Sequence, residues 1–225
     1  MINEILKLLD EIYSTNIKCY LNYGSPFQLL VATILSAQCK DDRVNVVTKD
    51  LFKKYPTVYD FAKADIRELE QDIKVIGFHR NKAKNIILCA NQVIERHNGE
   101  VPSDINLLVE LAGVGRKTAN VIRGNIFCIP SVVVDTHVKR ISIRWGLTLN
   151  TDPVAIEKDL MEILPKEYWI KYNTQVIAHG RAICTARSPK CNHCMFLSYC
   201  PFGLTKSLEK IHDNAKKGIE EGIMY

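Results

Sequence analysis

The sequence has little of what a secreted or membrane protein needs. Its longest apolar stretch, residues 26–39, is too short to cross a bilayer as a helix. Its first seven residues alternate charged or polar with apolar side chains, a pattern unlike that of a signal peptide. We therefore expect a cytoplasmic protein that does not bind a membrane.

Signals for β-strands are also nearly absent, and no internal repeat or low-complexity segment is visible. Apolar residues instead recur at helical spacing, as in residues 2–13. The segment 131–134 has β-branched character, but it lacks partner strands and is interpreted as a buried extended connector. The sequence predicts an all-α protein.

Capping residues, proline and glycine set the expected ends of several helices. Ser25-Pro26 fits the start of an almost wholly apolar helix, which should be the buried centre of its domain. Gly77 is expected to end a helix that begins at Asp65. A long helix is predicted at 79–97 and a charged tail helix near 206–221.

The totals are those of a globular protein with one large domain or two small ones. The chain has 225 residues, of which 47% are hydrophobic and 24% charged. The formal net charge of +5 is a modest bias towards polyanions, and many proteins that do not bind nucleic acid share it. Composition alone therefore selects no function.

Two glycines one residue apart, Gly113 and Gly115, separate two helix-like segments and are typical of a tight helical hairpin. The turn, with Val114 between the glycines, is expected to present bare N–H groups to an anion. Arg116 and Lys117 then open the next helix, where the macrodipole favours negative charge. Such a turn grips a phosphate backbone without reading bases. The alternative is an ordinary packing corner; a P-loop is excluded because it needs four residues between its glycines.

Four of the eight cysteines are scattered and interpreted as small hydrophobes, mostly on apolar helical faces: Cys19, Cys39, Cys89 and Cys128. The other four follow the spacing C-x6-C-x2-C-x5-C: Cys184, Cys191, Cys194 and Cys200. A disulfide framework is typical of small secreted domains, so this group indicates metal. Four thiolates hold either zinc or an iron–sulfur cluster, and the wide gaps favour [4Fe–4S] over zinc. Arg187 and Lys190 lie within the loop and predict a basic surface there.

The glycine hairpin with Lys117, the segment Val134-Asp135-Thr136-His137 and the cysteine spacing together resemble the endonuclease III family. Its members are helix–hairpin–helix DNA glycosylases with an associated AP-lyase activity. Further matching motifs extend the resemblance over nearly the whole chain: Leu35-Ser36-Ala37-Gln38, Ile76-Gly77, Asn81-Lys82-Ala83, His97-Asn98-Gly99-Glu100 and Ala178-His179-Gly180-Arg181. Two positions depart from the family pattern: Ala112 stands where proline is usual, and Phe78 stands where leucine is common.

The resemblance implies two helical domains that flank a DNA-binding cleft. One is a six-helix barrel at residues 19–129, with its helix–hairpin–helix at about 104–127. The other is an iron–sulfur cluster domain built from both chain ends, residues 1–18 and 130–225. The implied cofactor is a [4Fe–4S] cluster, and the implied partner is double-stranded DNA containing oxidised pyrimidines or abasic sites. We expect a monomer.

By the same resemblance, Lys117 is the nucleophile and Asp135 its carboxylate partner. An amine attacks C1′ of the damaged nucleotide only when it is neutral, a state that desolvation favours. Asp135 then accepts a proton or stabilises the developing oxocarbenium charge. Both residues also fit simpler roles, phosphate binding for Lys117 and a helix N-cap for Asp135.

Three further residues match family positions that contact DNA. A damaged base must leave the duplex before it reacts, and Gln38 matches the residue that fills the vacated space. Phe78 remains an apolar wedge beside the estranged base. His137 matches an active-site position. The simpler alternatives are a helix-end polar residue, a core aromatic and a structural hydrogen bond, respectively.

Other protein classes share parts of this pattern. Adenine-removing mismatch glycosylases share the cysteine loop but lack the lysine and carry an extra carboxy-terminal domain. Lysine-bearing relatives that excise oxidised guanine generally lack the cysteine loop. A non-catalytic iron–sulfur protein that binds DNA or senses redox state would keep the hairpin and cysteines but gives no reason for Lys117 and Asp135.

Overall fold

The computed structural model describes residues 1–13 and 19–209. Within these ranges every regular element is a helix and no strand is present, which confirms the predicted all-α class. None of the described helices has the length and apolar content needed to cross a bilayer. The α-helices with both ends defined are, in chain order, α1 (Ile2–Ile12), α2 (Pro26–Ser36), α3 (Asp41–Lys54), α4 (Val58–Ala62), α5 (Ile66–Asp72), α6 (His79–His97), α7 (Ile105–Val109), α8 (Arg116–Phe127), α9 (Thr136–Arg144), α10 (Pro153–Ile163) and α11 (Trp169–Ala182).

Most predicted helix ends are confirmed, but the end of α5 is not. This helix begins after the Asp65 cap as expected and ends at Asp72, five residues before Gly77. The left-handed residue in this region is Phe78, with φ 59°, which directly precedes α6. Of the predicted tail helix, residues 206–209 belong to a helical stretch at 201–209, and the rest lies outside the described residues.

The segment Lys18–Ser131 forms one compact unit. Its central element is α2, which is buried at Phe27 and from Leu29 to Leu35 and packs against α3, α6 and α8. Ser25 begins this helix by accepting a first-turn N–H through its side chain. The apolar sequence of α2 therefore predicted its central position correctly.

The second compact unit joins Met1–Ile17 to Val132–Tyr225. Helix α1 packs against α11, which also packs against α9, and the unit has its own apolar core with Trp145, Tyr172 and Phe196 fully buried. Asp10 of α1 accepts a hydrogen bond from Lys171 Nζ at 2.8 Å, which ties α1 to α11.

The four scattered cysteines do not share one environment. Cys89 is buried within α6, as expected for a small hydrophobe. Cys19 and Cys39 lie outside helices and are partly exposed, while Cys128 is exposed at the left-handed residue that ends α8. The predicted helical face is therefore correct only for Cys89, while Cys19 and Cys39 also pack against the apolar core and match the interpretation as small hydrophobes.

Candidate functional site

The hairpin turn between α7 and α8 uses its two glycines differently. Gly113 has φ 77°, and a Cβ atom there would lie 3.0 Å from Cβ of Asn85 in α6. Both the backbone conformation and the close approach therefore favour glycine over any residue with a Cβ. Gly115 is the N-cap of α8 with φ −93°, and a Cβ there would meet no atom within 4 Å.

The turn is also held by hydrogen bonds of its own backbone. Val114 has a buried side chain, and its N–H donates to the Leu111 carbonyl oxygen at 3.1 Å. The turn therefore uses the Val114 N–H internally, and DNA contact by Val114 stays a prediction. Ala112 donates its N–H to Gln92 Oε1 at 2.7 Å, a bond that the proline usual at this position would lack.

Lys117 is exposed at the second position of α8, one residue after the exposed Arg116. The positive end of the helix macrodipole lies at this terminus and favours an anionic partner such as a phosphate. Because Lys117 is exposed, the protein alone does not desolvate its amine. Desolvation of this amine, as expected from the sequence, would require a bound substrate.

Asp135 is the N-cap of α9. Its Oδ1 accepts the N–H groups of His137 at 2.9 Å and Val138 at 2.8 Å. The simple capping role is thus real, but it occupies only one carboxylate oxygen, and the side chain is partly exposed. The cap fixes where the carboxylate lies without excluding a chemical role for Oδ2.

His137 is held by contacts inside its own unit. Its Nδ1 lies 3.2 Å from the Arg140 guanidinium. The backbone at Gly180 approaches the imidazole so closely that no Cβ would fit there. The structural role anticipated as an alternative is therefore present, and DNA contact by His137 stays a prediction.

Gln38 and Phe78 share an uncommon backbone conformation. Both are exposed, with φ 56° and 59°, in the left-handed region that residues with a Cβ rarely adopt. Phe78 is 65% exposed, so it is not the core aromatic of the simpler alternative. It is also the N-cap of α6, where an extended backbone is normal. Strained, exposed residues of this kind are typical of functional sites.

The four clustered cysteines line a single pocket, together with Trp145, His179 and Lys190. All four are free thiols. Arg144 donates to Cys184 Sγ at 3.2 Å, and the Gly203 N–H donates to Cys200 Sγ at 3.3 Å. Such donors stabilise thiolates, and four cysteines on one pocket fit a cluster ligand set. Among the described residues, no three His, Cys, Asp or Glu side chains are arranged to hold a single metal ion.

Two arginines of α9 secure the first part of the cysteine loop. Arg144 donates to the carbonyl oxygens of Thr185 at 2.8 Å and Ala186 at 3.0 Å, and Arg140 donates to the Cys184 carbonyl at 2.9 Å. Arg187 and Lys190 are exposed on the same loop, consistent with the predicted basic surface.

His179 forms one wall of the pocket. Its Nδ1 lies 2.9 Å from the Tyr13 hydroxyl and its Nε2 lies 3.7 Å from Cys194 Sγ. Burial lowers the pKa of His179 to about 4, so its imidazole is neutral at pH 7. A neutral ring adds no charge to the pocket. It donates a hydrogen bond through one nitrogen and accepts one through the other.

The sequence predicted no supporting role for three residues, Arg144, Gln92 and Lys82, although Lys82 lies within one of the matched motifs. Arg144 and Gln92 left no signal, because their bonds join distant parts of the chain. Lys82 did leave one, since it lies in helical register with Ile86 and Cys89, both fully buried. A lysine on the core side of a helix has a structural or functional reason to be there.

Comparison with known proteins finds similarity along most of the chain. Residues 31–166 match the family described as HhH-GPD superfamily base excision DNA repair protein. The endonuclease III of Synechocystis sp. is 49% identical over 199 residues, which cover 88% of this chain and 90% of that protein. The endonuclease III of Bacillus subtilis is 49% identical over 187 residues, which cover 83% and 85%.

Solved structures agree with the sequence relatives. A trapped endonuclease III–DNA covalent intermediate, an estranged-adenine complex, has a TM-score of 0.85 at 44% identity, covering 91% of this chain and 98% of that chain. A non-covalent endonuclease III–DNA complex has the same TM-score and identity, covering 91% and 97%. Together with the hairpin and the cysteine loop, these matches confirm the resemblance drawn from the sequence, and the chain belongs to the endonuclease III family of base excision DNA repair proteins.

Proposed function

We propose that this chain is a bifunctional DNA glycosylase and AP lyase that removes oxidised pyrimidines from duplex DNA, with Lys117 as nucleophile and Asp135 as its carboxylate partner. Family membership supports the two activities. The observation that carries the residue assignment is the position of Lys117, exposed at the start of α8 directly after the glycine turn. A turn that binds the phosphate backbone brings the adjacent amine to the sugar.

The reaction proceeds through covalent attachment of the amine to the sugar. The neutral Lys117 Nζ attacks C1′, the C1′–N bond to the base breaks, and the base leaves with the electron pair and gains a proton. Ring opening gives an iminium between Nζ and C1′, which acidifies the C2′ proton. Loss of that proton breaks the C3′–O bond, expels the 3′-phosphate and nicks the strand; water then releases Lys117.

Asp135 supplies the negative charge that this sequence of steps needs. The cap bonds hold its Oδ1, so the carboxylate is anchored and Oδ2 acts on the substrate. There it accepts the proton that Lys117 loses, or stabilises the oxocarbenium charge as the base departs. A carboxylate that is fixed in advance needs little reorganisation during the reaction.

The remaining residues grip and open the DNA. The N–H groups at Gly113 and Gly115 bind phosphate together with Arg116, while Gln38 fills the space left by the extruded base and Phe78 wedges beside the estranged one. We also assign DNA contacts to His137, Arg187 and Lys190. The exposed, left-handed conformations of Gln38 and Phe78 support their role.

We further propose that Cys184, Cys191, Cys194 and Cys200 hold a [4Fe–4S] cluster. Bound there, the cluster would cross-link the loop that carries Arg187 and Lys190. Arg144 and the Gly203 N–H would stabilise the ligand sulfurs by hydrogen bonds. Iron and sulfide analysis of anaerobically purified protein tests this, and stoichiometric zinc in place of iron would overturn it.

The domain roles follow from these assignments. Residues 19–129 form the helical barrel that presents the hairpin, and residues 1–18 with 130–225 form the cluster domain. The protein acts as a monomer in the cytoplasm, on duplex DNA. Light scattering of the protein with and without DNA measures the oligomeric state.

Borohydride trapping tests the central assignment. Incubating the protein with duplex containing thymine glycol or an abasic site and reducing any imine should give a covalent protein–DNA adduct. Lys117→Gln should abolish the adduct and keep DNA binding, whereas Lys49→Gln, at an exposed position of α3, should keep both. An adduct that survives Lys117→Gln would place the nucleophile elsewhere. Tight binding without any wild-type adduct would favour a glycosylase without lyase activity, or a protein that only binds DNA.

A further inference from the structure

Helix α6 contains a buried lysine that the proposed reaction does not use. Lys82 is 6% exposed, and its Nζ donates to the carbonyl oxygens of Leu35 at 2.9 Å and Ala37 at 2.6 Å. Burial lowers the pKa of Lys82, and the nearby Cys39 thiol opposes that shift. Burying an ammonium group is costly, so its partners indicate what it does.

Those partners lie at the carboxyl end of α2. The last carbonyls of a helix have no partner within the helix, and the macrodipole makes this end negative. The Lys82 ammonium therefore satisfies both carbonyls with a favourable charge. Gln38 directly follows Ala37, so the same two bonds fix the backbone from which Gln38 projects.

The backbone of Lys82 reaches the other strained residue. Its N–H donates to the Phe78 carbonyl oxygen at 3.1 Å, which is a first-turn bond of α6. Gln38 and Phe78 belong to separate segments, and Lys82 bonds to the start of one helix and the end of the other. The side chain of Lys82 thus ties the first turn of α6, which follows Phe78, to the end of α2, which precedes Gln38.

We infer that Lys82 is a positioning residue that holds Gln38 and Phe78 ready to enter the duplex when the damaged nucleotide is extruded. This inference rests on the proposed function, since it assumes that both side chains contact the opened DNA. It matters that the two residues are already in this conformation before DNA binds. A side chain that must first adopt a rare backbone conformation enters the duplex less often.

The experiment compares Lys82→Met, which keeps the length but removes the donors, with Lys49→Met at an exposed position of α3. Full-length, cluster-containing protein is assayed for single-turnover excision of thymine glycol and for the fluorescence of 2-aminopurine opposite an abasic site. Lys82→Met should slow excision by about tenfold and reduce the fluorescence change, because two bonds from a charged donor are lost. Lys49→Met should alter neither. Excision at the wild-type rate by folded Lys82→Met would overturn the inference.

A coupling measurement separates positioning from general destabilisation. If Lys82 acts through Gln38, then Gln38→Ala should slow wild-type excision but add little in the Lys82→Met background. Fully additive losses would reject positioning. If Lys82→Met does not fold, Lys82→Gln, which retains an amide donor, replaces it in the same cycle with the same two outcomes. Failure of the wild-type protein to excise thymine glycol would instead reject the proposed function.

Discussion

Cβ of Asn85 lies where a side chain at position 113 would have to go: a Cβ on Gly113 would be 3.0 Å from it. Helix α6 thus supports the hairpin turn at atomic contact, and Gln92 of the same helix bonds the turn at Ala112. The conformation of the hairpin turn therefore depends on a surface that the hairpin sequence does not contain.

Gly113→Ala should destabilise the protein and weaken its DNA binding. The left-handed backbone alone costs a residue with a Cβ about 1–2 kcal/mol, and the contact with Asn85 adds to it. Urea unfolding and binding to abasic-site duplex measure the two effects. Gly115→Ala is the comparison for the stability measurement, since its backbone is ordinary and its surroundings open. Alanine caps a helix less well than glycine, but the loss of stability should be smaller than in Gly113→Ala. Equal losses of stability in both variants would contradict this account.

Asp135→Asn should separate the capping role of Asp135 from the chemical role proposed for it. Asparagine caps helices as well as aspartate does, so the free energy of unfolding should hardly change, while Asp135→Ala should lose about 1 kcal/mol. Both variants should excise thymine glycol at least about 100-fold more slowly, because the charge is gone. Asp152→Asn, at a cap of the same geometry on α10, should remain fully active. Normal activity in Asp135→Asn would limit Asp135 to the cap.

Arg144→Lys should loosen the proposed cluster. A single ammonium group cannot reproduce the three guanidinium bonds to Cys184 Sγ, Thr185 and Ala186. Loss of such support costs about tenfold or more in metal retention. Iron release to a chelator, followed by visible absorbance, should be faster by about that factor. Arg187→Lys, exposed on the same loop, should release iron at the wild-type rate.

Asp10 should make the second unit sensitive to acid. Burial alone would raise the pKa of its carboxyl group, but hydrogen bonds from Lys171, Gln175 and Tyr168 outweigh burial and lower it below the ordinary 3.8. A lowered folded-state pKa contributes stability that is complete above the unfolded value and lost as the pH falls through the folded one. At pH 7, Asp10→Asn should therefore lose about 1–2 kcal/mol of unfolding free energy, and its difference from the wild type should shrink below pH 3.8. A difference that is constant with pH would contradict the assignment.

Local patterns predicted the elements of this protein better than the contacts between them. The apolar run after Ser25 and the helix starts at Asp65 and Asp135 were predicted correctly, because capping and periodicity act over a few residues. Gly77 was misjudged because α5 stops earlier, and the left-handed conformation falls on Phe78 instead.

In the candidate site, too, local sequence patterns predicted the residues better than the contacts that support them. The cysteine spacing pointed to one metal centre, and all four cysteines line one pocket. The hydrogen bonds of Lys82 span 45 and 47 residues, and that of Arg144 to Cys184 spans 40. No short window of sequence contains both partners of such bonds, so these supporting contacts required coordinates.

The bond between Asp10 and Lys171 spans 161 positions along the chain. During synthesis, α1 leaves the ribosome well before Tyr168 and Lys171, to which its Asp10 bonds. Every helix from α2 to α8, by contrast, finds its neighbours within one continuous stretch. In the nascent chain, the unit Lys18–Ser131 should therefore fold before α1 packs against α11. Because the contact between α1 and α11 closes so long a loop, we expect it to form late in folding. The cysteine loop, which follows α11, should also assemble at this late stage.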